Sequence, residues 1–411
     1  MRRSRTCEGL CDQAHACHVK NIEDVPLKPL SVRSSVEPFH AMDVLAEATK
    51  RREAGYPVIS MAVGQPSHPA PKAALEAART ALEHGRLGYT DALGTSSLRL
   101  AIARHYRTRY GVDIDPQRVA VTTGSSAGFN LAFLALFDPG DCVAIARPGY
   151  PAYRNILAAL GLTVVEVEAD AESGFTLTPQ NLEAAAKKAG RPLNGVLLAS
   201  PANPTGTVTG KAGLKALADY CHENDIAFIS DEIYHGLTFA GEETTALAVT
   251  GEAVIINSFS KYYCMTGWRI GWMVLPDSQV RAFERIAQSL YISPPELSQI
   301  AAEAALGCEA ELDVYKASYA ANRDLLLKRL PEIGFTIASP MDGAFYAYAD
   351  VSRFTNDSME FARKMLAEIN VAATPGLDFD PVEGHRAMRF SYAGAHADMV
   401  DAMDRIARWL A

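Results

Sequence analysis

The sequence predicts an α/β fold: a large domain on a mostly parallel seven-stranded sheet flanked by helices, and a smaller α+β domain behind it. Three observations lead there. Short β-rich runs alternate with helix-period runs from Val119 to Leu275. After Leu275 the pattern changes to longer helices broken by isolated strands. The chain has 411 residues, more than one small core organises. Its 48% apolar and 21% charged composition is that of a globular protein.

The strand candidates are Val119–Thr123, Cys142–Ala146, Thr163–Val167, Gly195–Ser200, Ile226–Ser230, Ala253–Asn257 and Arg269–Leu275. Helix patterns at Ser126–Phe137, Tyr153–Leu160, Pro179–Ala189 and Lys211–Glu223 fill several of the connections. Crossovers of that length join parallel strands and cover both faces of the sheet. Beyond Leu275, Asp277–Tyr291 and Glu311–Leu330 read as helices, the second punctuated by Pro331 and Gly334. Strands follow at Phe335–Ala338 and Ala344–Ala349, then a helix Ser358–Glu368, a strand Ala387–Ser391 and a helix Ala397–Leu410. The expected division is a mobile leader at 1–31, a segment at 32–60 joining the small domain, the large domain at 61–290 and the small domain at 291–411.

Charge narrows the partners. Lys and Arg total 39 against 48 Asp and Glu, a net −9, which argues against nucleic acid or an anionic membrane surface. A small anion needs only a few local cations and stays open. No uninterrupted apolar run reaches the length of about 18 residues that a membrane span requires. Seven cysteines form no regular framework, and the odd count suits a reducing, cytoplasmic setting. In the leader, Cys7, Cys11, Cys17, His15 and His18 match no common zinc spacing, so no metal is expected. The Arg2-Arg3 pair lacks the apolar run of a secretory signal.

Ligands of parallel sheets gather at the carboxyl ends of the strands. Gly195–Ser200 runs into Pro201-Ala202-Asn203-Pro204-Thr205-Gly206, Ile226–Ser230 into Asp231-Glu232-Ile233-Tyr234, and Ala253–Asn257 into Ser258-Phe259-Ser260-Lys261. Each has a plain structural explanation alone: Asp as a helix cap, Asn-Pro-Thr-Gly as a turn. Val119–Thr123 leads to Gly124-Ser125-Ser126-Ala127-Gly128, which opens a helix with free amides and hydroxyls, a ready anion site. It is not the dinucleotide fingerprint, and no acidic residue follows at the spacing NAD requires. Ser258, Ser260 and Arg269 make a second anion-binding set. A phosphate anchor, an amine for a carbonyl and a carboxylate for a ring nitrogen are together the handles that pyridoxal phosphate needs.

From about Val32 onward the chain closely resembles the fold-type-I pyridoxal-phosphate aminotransferases of class I/II, the aspartate aminotransferase superfamily. The resemblance rests on Ser200-Pro-Ala-Asn203-Pro-Thr-Gly206, Ser230-Asp231-Glu-Ile-Tyr234, Ser258-Phe-Ser260-Lys261 and Arg269-Ile-Gly-Trp272. Weaker matches are Val63-Gly64-Gln65-Pro66, Gly88-Tyr89-Thr90, Asp342-Gly343-Ala344-Phe345-Tyr346 and Met388-Arg389-Phe390-Ser391. It implies that Lys261 forms the aldimine and shuttles the Cα proton, that Asp231 faces the pyridine nitrogen, and that Asn203 and Tyr234 meet the phenolic oxygen. Tyr150 would stack on the ring. Ser125, Ser126, Ser258 and Arg269 would hold the phosphate. Tyr89 would reach the cofactor of a second subunit, making a homodimer with shared sites. Arg389 would bind the substrate's α-carboxylate beside Gly64, while Arg386 is expected at the surface.

The implied reaction is a ping-pong transfer of an amino group from an L-amino acid to a 2-oxo acid. A carbon–sulfur β-lyase on the same scaffold would keep nearly every residue named. A catalytically silent ligand-binding member is disfavoured by the presence of Lys261 and by a leader too short for a DNA-binding domain. Aspartate or aromatic amino acids with 2-oxoglutarate are the first expectation. Yet Ser126 stands where some members handling acidic substrates carry a basic residue, and Leu87, Phe39 and Tyr291 are candidates for an apolar pocket. One departure stands out: in Thr374-Pro375-Gly376-Leu377-Asp378-Phe379-Asp380 the last residue replaces a frequent glycine.

Overall fold

The computed structural model describes residues 28–337 and 339–411; residues 1–27, with the leader's Cys7, Cys11, Cys17, His15 and His18, lie outside the described residues. The chain begins with α1 (His40–Glu53), β1 (Ile59–Met61), α2 (Lys72–His84) and α3 (Ser96–Tyr110). The central elements are β2 (Val119–Thr122), α4 (Gly124–Leu136), β3 (Cys142–Arg147), α5 (Pro151–Ala159), β4 (Thr163–Glu168), α6 (Pro179–Ala189), β5 (Gly195–Ala199) and α7 (Lys211–Glu223). They continue with β6 (Ala227–Asp231), β7 (Val254–Ser258), β8 (Gly271–Val274) and α8 (Val280–Tyr291). The last part holds α9 (Glu296–Ala305), α10 (Glu309–Ile333), β9 (Thr336–Ile337), β10 (Tyr346–Asp350), α11 (Ser358–Ile369), β11 (Val371–Pro375), β12 (Ala387–Ser391) and α12 (His396–Leu410).

Seven strands form the large sheet in the order β2-β8-β7-β6-β5-β3-β4. Neighbours from β4 to β7 run parallel, and β8 is antiparallel to both β7 and β2. The mostly parallel sheet expected from the β/α alternation is therefore present. Its strands are buried on both faces, and their alternate side chains sort into two cores. Val143, Ile145, Leu197, Ile229, Ile256 and Met273 pack with Phe129 and Phe133 of α4 and Phe283 of α8. Ala144, Val196, Leu198, Phe228, Ile255 and Trp272 point the other way, toward Leu214 and Leu217 of α7 and Ile102 and Tyr106 of α3. That second core continues into Phe345, Tyr346 and Phe390 of the second sheet.

The second sheet has the order β1-β11-β12-β10-β9, with β1 parallel to β11 and the other pairs antiparallel. Two of its strands escape sequence patterning for physical reasons. β1 has 3 residues, too few to show a period. β11 is Val-Ala-Ala-Thr-Pro, poor in the large branched residues that mark strands. The helix expected to stop at Leu330 instead runs to Ile333. Pro331 sits in its last turn, and Gly334, at φ 108°, closes it by donating to the carbonyls of Leu330 and Pro331.

The loop after β11 ties the second sheet to the first. Arg147, at the end of β3, donates to Asp380 at 3.0 Å, and Gly149 N–H donates to the Phe379 carbonyl at 3.0 Å. Asp380 Oδ1 also accepts the amides of Val382 and Glu383 at 2.8 and 2.9 Å. An aspartate in place of the usual glycine is thus a buried junction residue. Asp380→Ala would leave two amides without their acceptor and Arg147 with the exposed Glu168 as its ionic partner, and should lower unfolding free energy by about 3 kcal/mol. Denaturant unfolding checks this; a change below about 1 kcal/mol would mean water replaces the carboxylate.

Candidate active site

A cleft of about 240 Å³ opens where the carboxyl ends of the large sheet face β10 and β12. The antiparallel β8 explains one of its residues. A reversed strand brings its amino end to the carboxyl ends of its neighbours, so Arg269, just before β8, joins residues that follow β2, β5, β6 and β7. Arg269 holds a left-handed φ of 50°. Its guanidinium lies against Gly124, at φ +74°, where an added Cβ would collide with Nη2. Nη1 donates to the Thr266 carbonyl at 2.9 Å, leaving donors free toward the start of α4.

Most of the expected residues come together here: Gly64, Ser125, Ser126, Tyr150, Asn203, Asp231, Tyr234, Lys261, Arg269 and Arg389 all line the cleft. Two do not. Ser258 is buried one step behind Ser260, with its hydroxyl 2.9 Å from Ser260 Oγ and 3.1 Å from the Ile270 carbonyl, and it is Ser260 that faces the cleft. Tyr89 is 83% exposed and does not line this chain's own cleft. Of the pocket candidates, Phe39 lines the cleft, whereas Leu87 and Tyr291 do not. Arg386 is half-exposed and pairs with Asp350 and Glu383.

Lys261 Nζ donates to the Gly64 carbonyl at 2.7 Å. Burial, reinforced by Arg389 and Arg269 and opposed by Asp231, lowers its pKa to about 8. Asp231, at the end of β6, is 2% exposed. It accepts from the Tyr153 hydroxyl and, at 3.0 Å, from the Ile233 amide. Burial raises its pKa to about 6 against the pull of those two donors. The Tyr234 and Tyr346 hydroxyls lie 2.7 Å apart. Gly64 must be glycine because a Cβ there would overlap the Tyr346 hydroxyl.

Arg389, in the middle of β12, is 3% exposed. Its guanidinium carbon lies 4.3 Å from the Tyr346 ring centroid and 4.5 Å from that of Phe379. Nη1 donates to Asn203 Oδ1 at 2.9 Å, and Nη2 to the Ala62 carbonyl and Thr374 Oγ1. Nε is buried without a partner. A buried donor left open beside a fixed planar cation is what a small carboxylate would satisfy.

Sequence reasoning missed Tyr153, Tyr346 and Thr374 as site residues. Tyr153 lies one turn into α5, three residues after Tyr150, and that helical spacing was the available signal.

The profile of the family described as aminotransferase class I and II matches residues 56–406. The chain belongs to this family. A valine–pyruvate aminotransferase of Mycobacterium tuberculosis is 48% identical over 385 residues, covering 93% of this chain and 98% of that protein. The crystal structure of an aminotransferase from the same organism superposes with a TM-score of 0.90 at 48% identity, over 93% of this chain and 99% of that one. A Thermus thermophilus aspartate aminotransferase with maleate gives 0.86 at 33% identity, over 93% and 100%. As a class I and II aminotransferase of fold type I, the protein transfers an amino group between an amino acid and a 2-oxo acid and depends on pyridoxal phosphate.

The aminotransferase cleft suits that cofactor on its own geometry. The Gly124–Arg269 cradle, with Ser125 and Ser260 beside it, offers donors for a phosphate, and Asp231 offers a buried carboxylate to a ring nitrogen. Lys261 offers an amine that burial makes easy to deprotonate. Among the described residues no group of three or more His, Cys, Asp or Glu is placed to hold a metal, and no helix is long and apolar enough to cross a membrane.

Proposed function

We propose that the protein moves amino groups from L-amino acids with apolar side chains to a 2-oxo acid such as pyruvate. The carrying observation is the distribution of charge in the cleft. Among the described residues, its only cationic side chains are Lys261, Arg269 and Arg389, while Phe39, Ala41, Met42 and Val63 give its lining an apolar share. With Arg269 serving the phosphate and Arg389 the α-carboxylate, this chain's described residues offer the cleft no further cation for a second carboxylate. This favours the apolar pocket over the aspartate expectation. The name of the valine–pyruvate relative supports the same direction.

Bound pyridoxal phosphate supplies a carbonyl carbon for the amino nitrogen and a protonated ring that draws electrons from Cα. The chain's residues do the rest. Arg389 holds the α-carboxylate and thereby orients the Cα–H bond. Lys261 Nζ takes the Cα proton and returns it. Asp231, held by Tyr153, keeps a negative charge against the ring nitrogen. Asn203 and Tyr234 would donate hydrogen bonds to the cofactor's phenolic oxygen, Tyr150 would cover the ring face, and Ser125, Ser126, Ser260 and Arg269 would hold the phosphate, with Ser258 behind Ser260. Tyr89 reaches the site of a second copy in a homodimer, in keeping with its exposure and that of Leu87, Leu290 and Ile292. A cytoplasmic location accords with the free Cys142, Cys221, Cys264 and Cys308.

The test is steady-state kinetics of the holoenzyme with pyruvate and either L-valine or L-aspartate, following alanine formation. Valine should lead in kcat/KM by at least about tenfold; equal values, or aspartate ahead, would sink the apolar assignment. Arg389→Ala should lower kcat/KM for every amino acid by about 10²- to 10³-fold, because a buried charge partner of the carboxylate disappears.

A further inference from the structure

We propose that Asp378 is a positioning residue for side-chain preference: it clamps the start of α1 and so holds Phe39 over the cleft. This rests on the apolar-substrate reading. The first turn of α1 has no side-chain cap of its own, since its N-cap residue is Phe39. Its orphan amides are taken instead by a carboxylate far away in sequence. His40 and Ala41 N–H donate to Oδ1 and Oδ2 of Asp378 at 2.8 and 2.7 Å. Asp378 is 2% exposed, so water cannot replace it cheaply.

The clamp has a firm base. The Asp378 carbonyl accepts from Arg154 at 3.3 Å, Phe379 and Asp380 are tied to Gly149 and Arg147, and the Phe379 ring lies under the Arg389 guanidinium. One short loop therefore supports the arginine placed for the α-carboxylate and, through Asp378, Phe39 of the apolar lining. Phe39 meets the Tyr150 ring edge-on, with centroids 5.8 Å apart. α1 itself packs along β11, and the stretch before it touches α5 through Asn155 Nδ2, which donates to the Glu37 carbonyl at 3.0 Å. Without Asp378, Phe39 would lose its fixed distance from Arg389, and a branched side chain would lose its apolar contact. A methyl side chain has less apolar surface to lose than a branched one.

The experiment compares the second-order rate of the amino-donor half-reaction, followed in the cofactor absorbance without a 2-oxo acid, for L-valine and L-alanine in the holoenzymes of wild type, Asp378→Ala, Phe39→Ala and the double variant. Asp378→Ala should lose about tenfold on valine and little on alanine, the scale of a missing apolar contact. Phe39→Ala should do the same, and the double variant should lose no more than either alone. The cofactor absorbance spectrum should stay as in wild type. Equal losses on valine and alanine, or additive losses in the double variant, would overturn the proposal. If Asp378→Ala does not fold, Asp378→Asn, which keeps one acceptor oxygen, is read on the same ratio. A wild type that does not prefer valine to aspartate overturns the apolar-substrate reading itself, before any variant is made.

Discussion

Lys261→Ala should lower amino transfer by at least about 10³-fold, because it removes both the amine that engages the cofactor carbonyl and the base that carries the Cα proton. Among the described residues the other cations of the cleft are Arg269 and Arg389, and guanidinium does not release a proton at working pH. Fold and stability should hold, since removing a buried amine also removes its desolvation cost. The measurement is the single-turnover rate with L-valine beside an unfolding curve; a variant within about tenfold of wild type would unseat Lys261. A pH dependence accompanies it. Lys261 titrates at about 8, below its ordinary 10.5, through burial and then the two arginines. The neutral amine is the form that attacks a carbonyl. The rate at which cofactor-free protein takes up pyridoxal phosphate should therefore rise with pH and level off above about 8. A rate still climbing steeply toward pH 10 would show an unshifted lysine.

Asp231→Asn should cost about 10²- to 10³-fold in kcat, as expected when one charge of a desolvated pair is lost, while the protein stays folded. Burial raises the Asp231 carboxyl to about 6, so its ionised form costs more than that of an exposed carboxylate, and a positive ring beside it would offset that cost. The sign follows. As pH falls below about 6 the carboxyl takes a proton, and cofactor affinity should drop with it. Tyr153→Phe removes a donor that favours the ionised form, so the same drop should begin at higher pH. Absorbance titrations of the bound cofactor across pH 5–8 read both effects. An Asp231→Asn enzyme with wild-type kcat would mean that the ring nitrogen does not depend on this charge.

The strand-end residues were legible because their placement is local. A β-run that stops at Ser230 or Asn257 must present the next residues at the sheet's carboxyl edge, whatever the rest of the chain does. Asp231 and Lys261 could be singled out on that ground, and so could the Gly124–Gly128 helix start. Tyr153 was harder, because on a helix its direction depends on how α5 packs against β3 and β4. Ser258 and Ser260 differ by two positions, and nothing in their spacing tells which hydroxyl faces the cleft.

The chain's periodicities and turn residues determine by themselves the sheet, its buried faces and the cofactor-bearing ends, since hydrophobic patterning and strand termination act within a few residues. Only the tertiary structure decides the substrate's surroundings. Arg389 meets Asn203 across 186 residues, and Asp378 meets Ala41 across 337. The first meeting depends on the second sheet docking against the first, with Asp380 on Arg147 at the junction, and the second on α1 packing along β11. Contacts of that separation form when two cores pack together, and no local pattern records them.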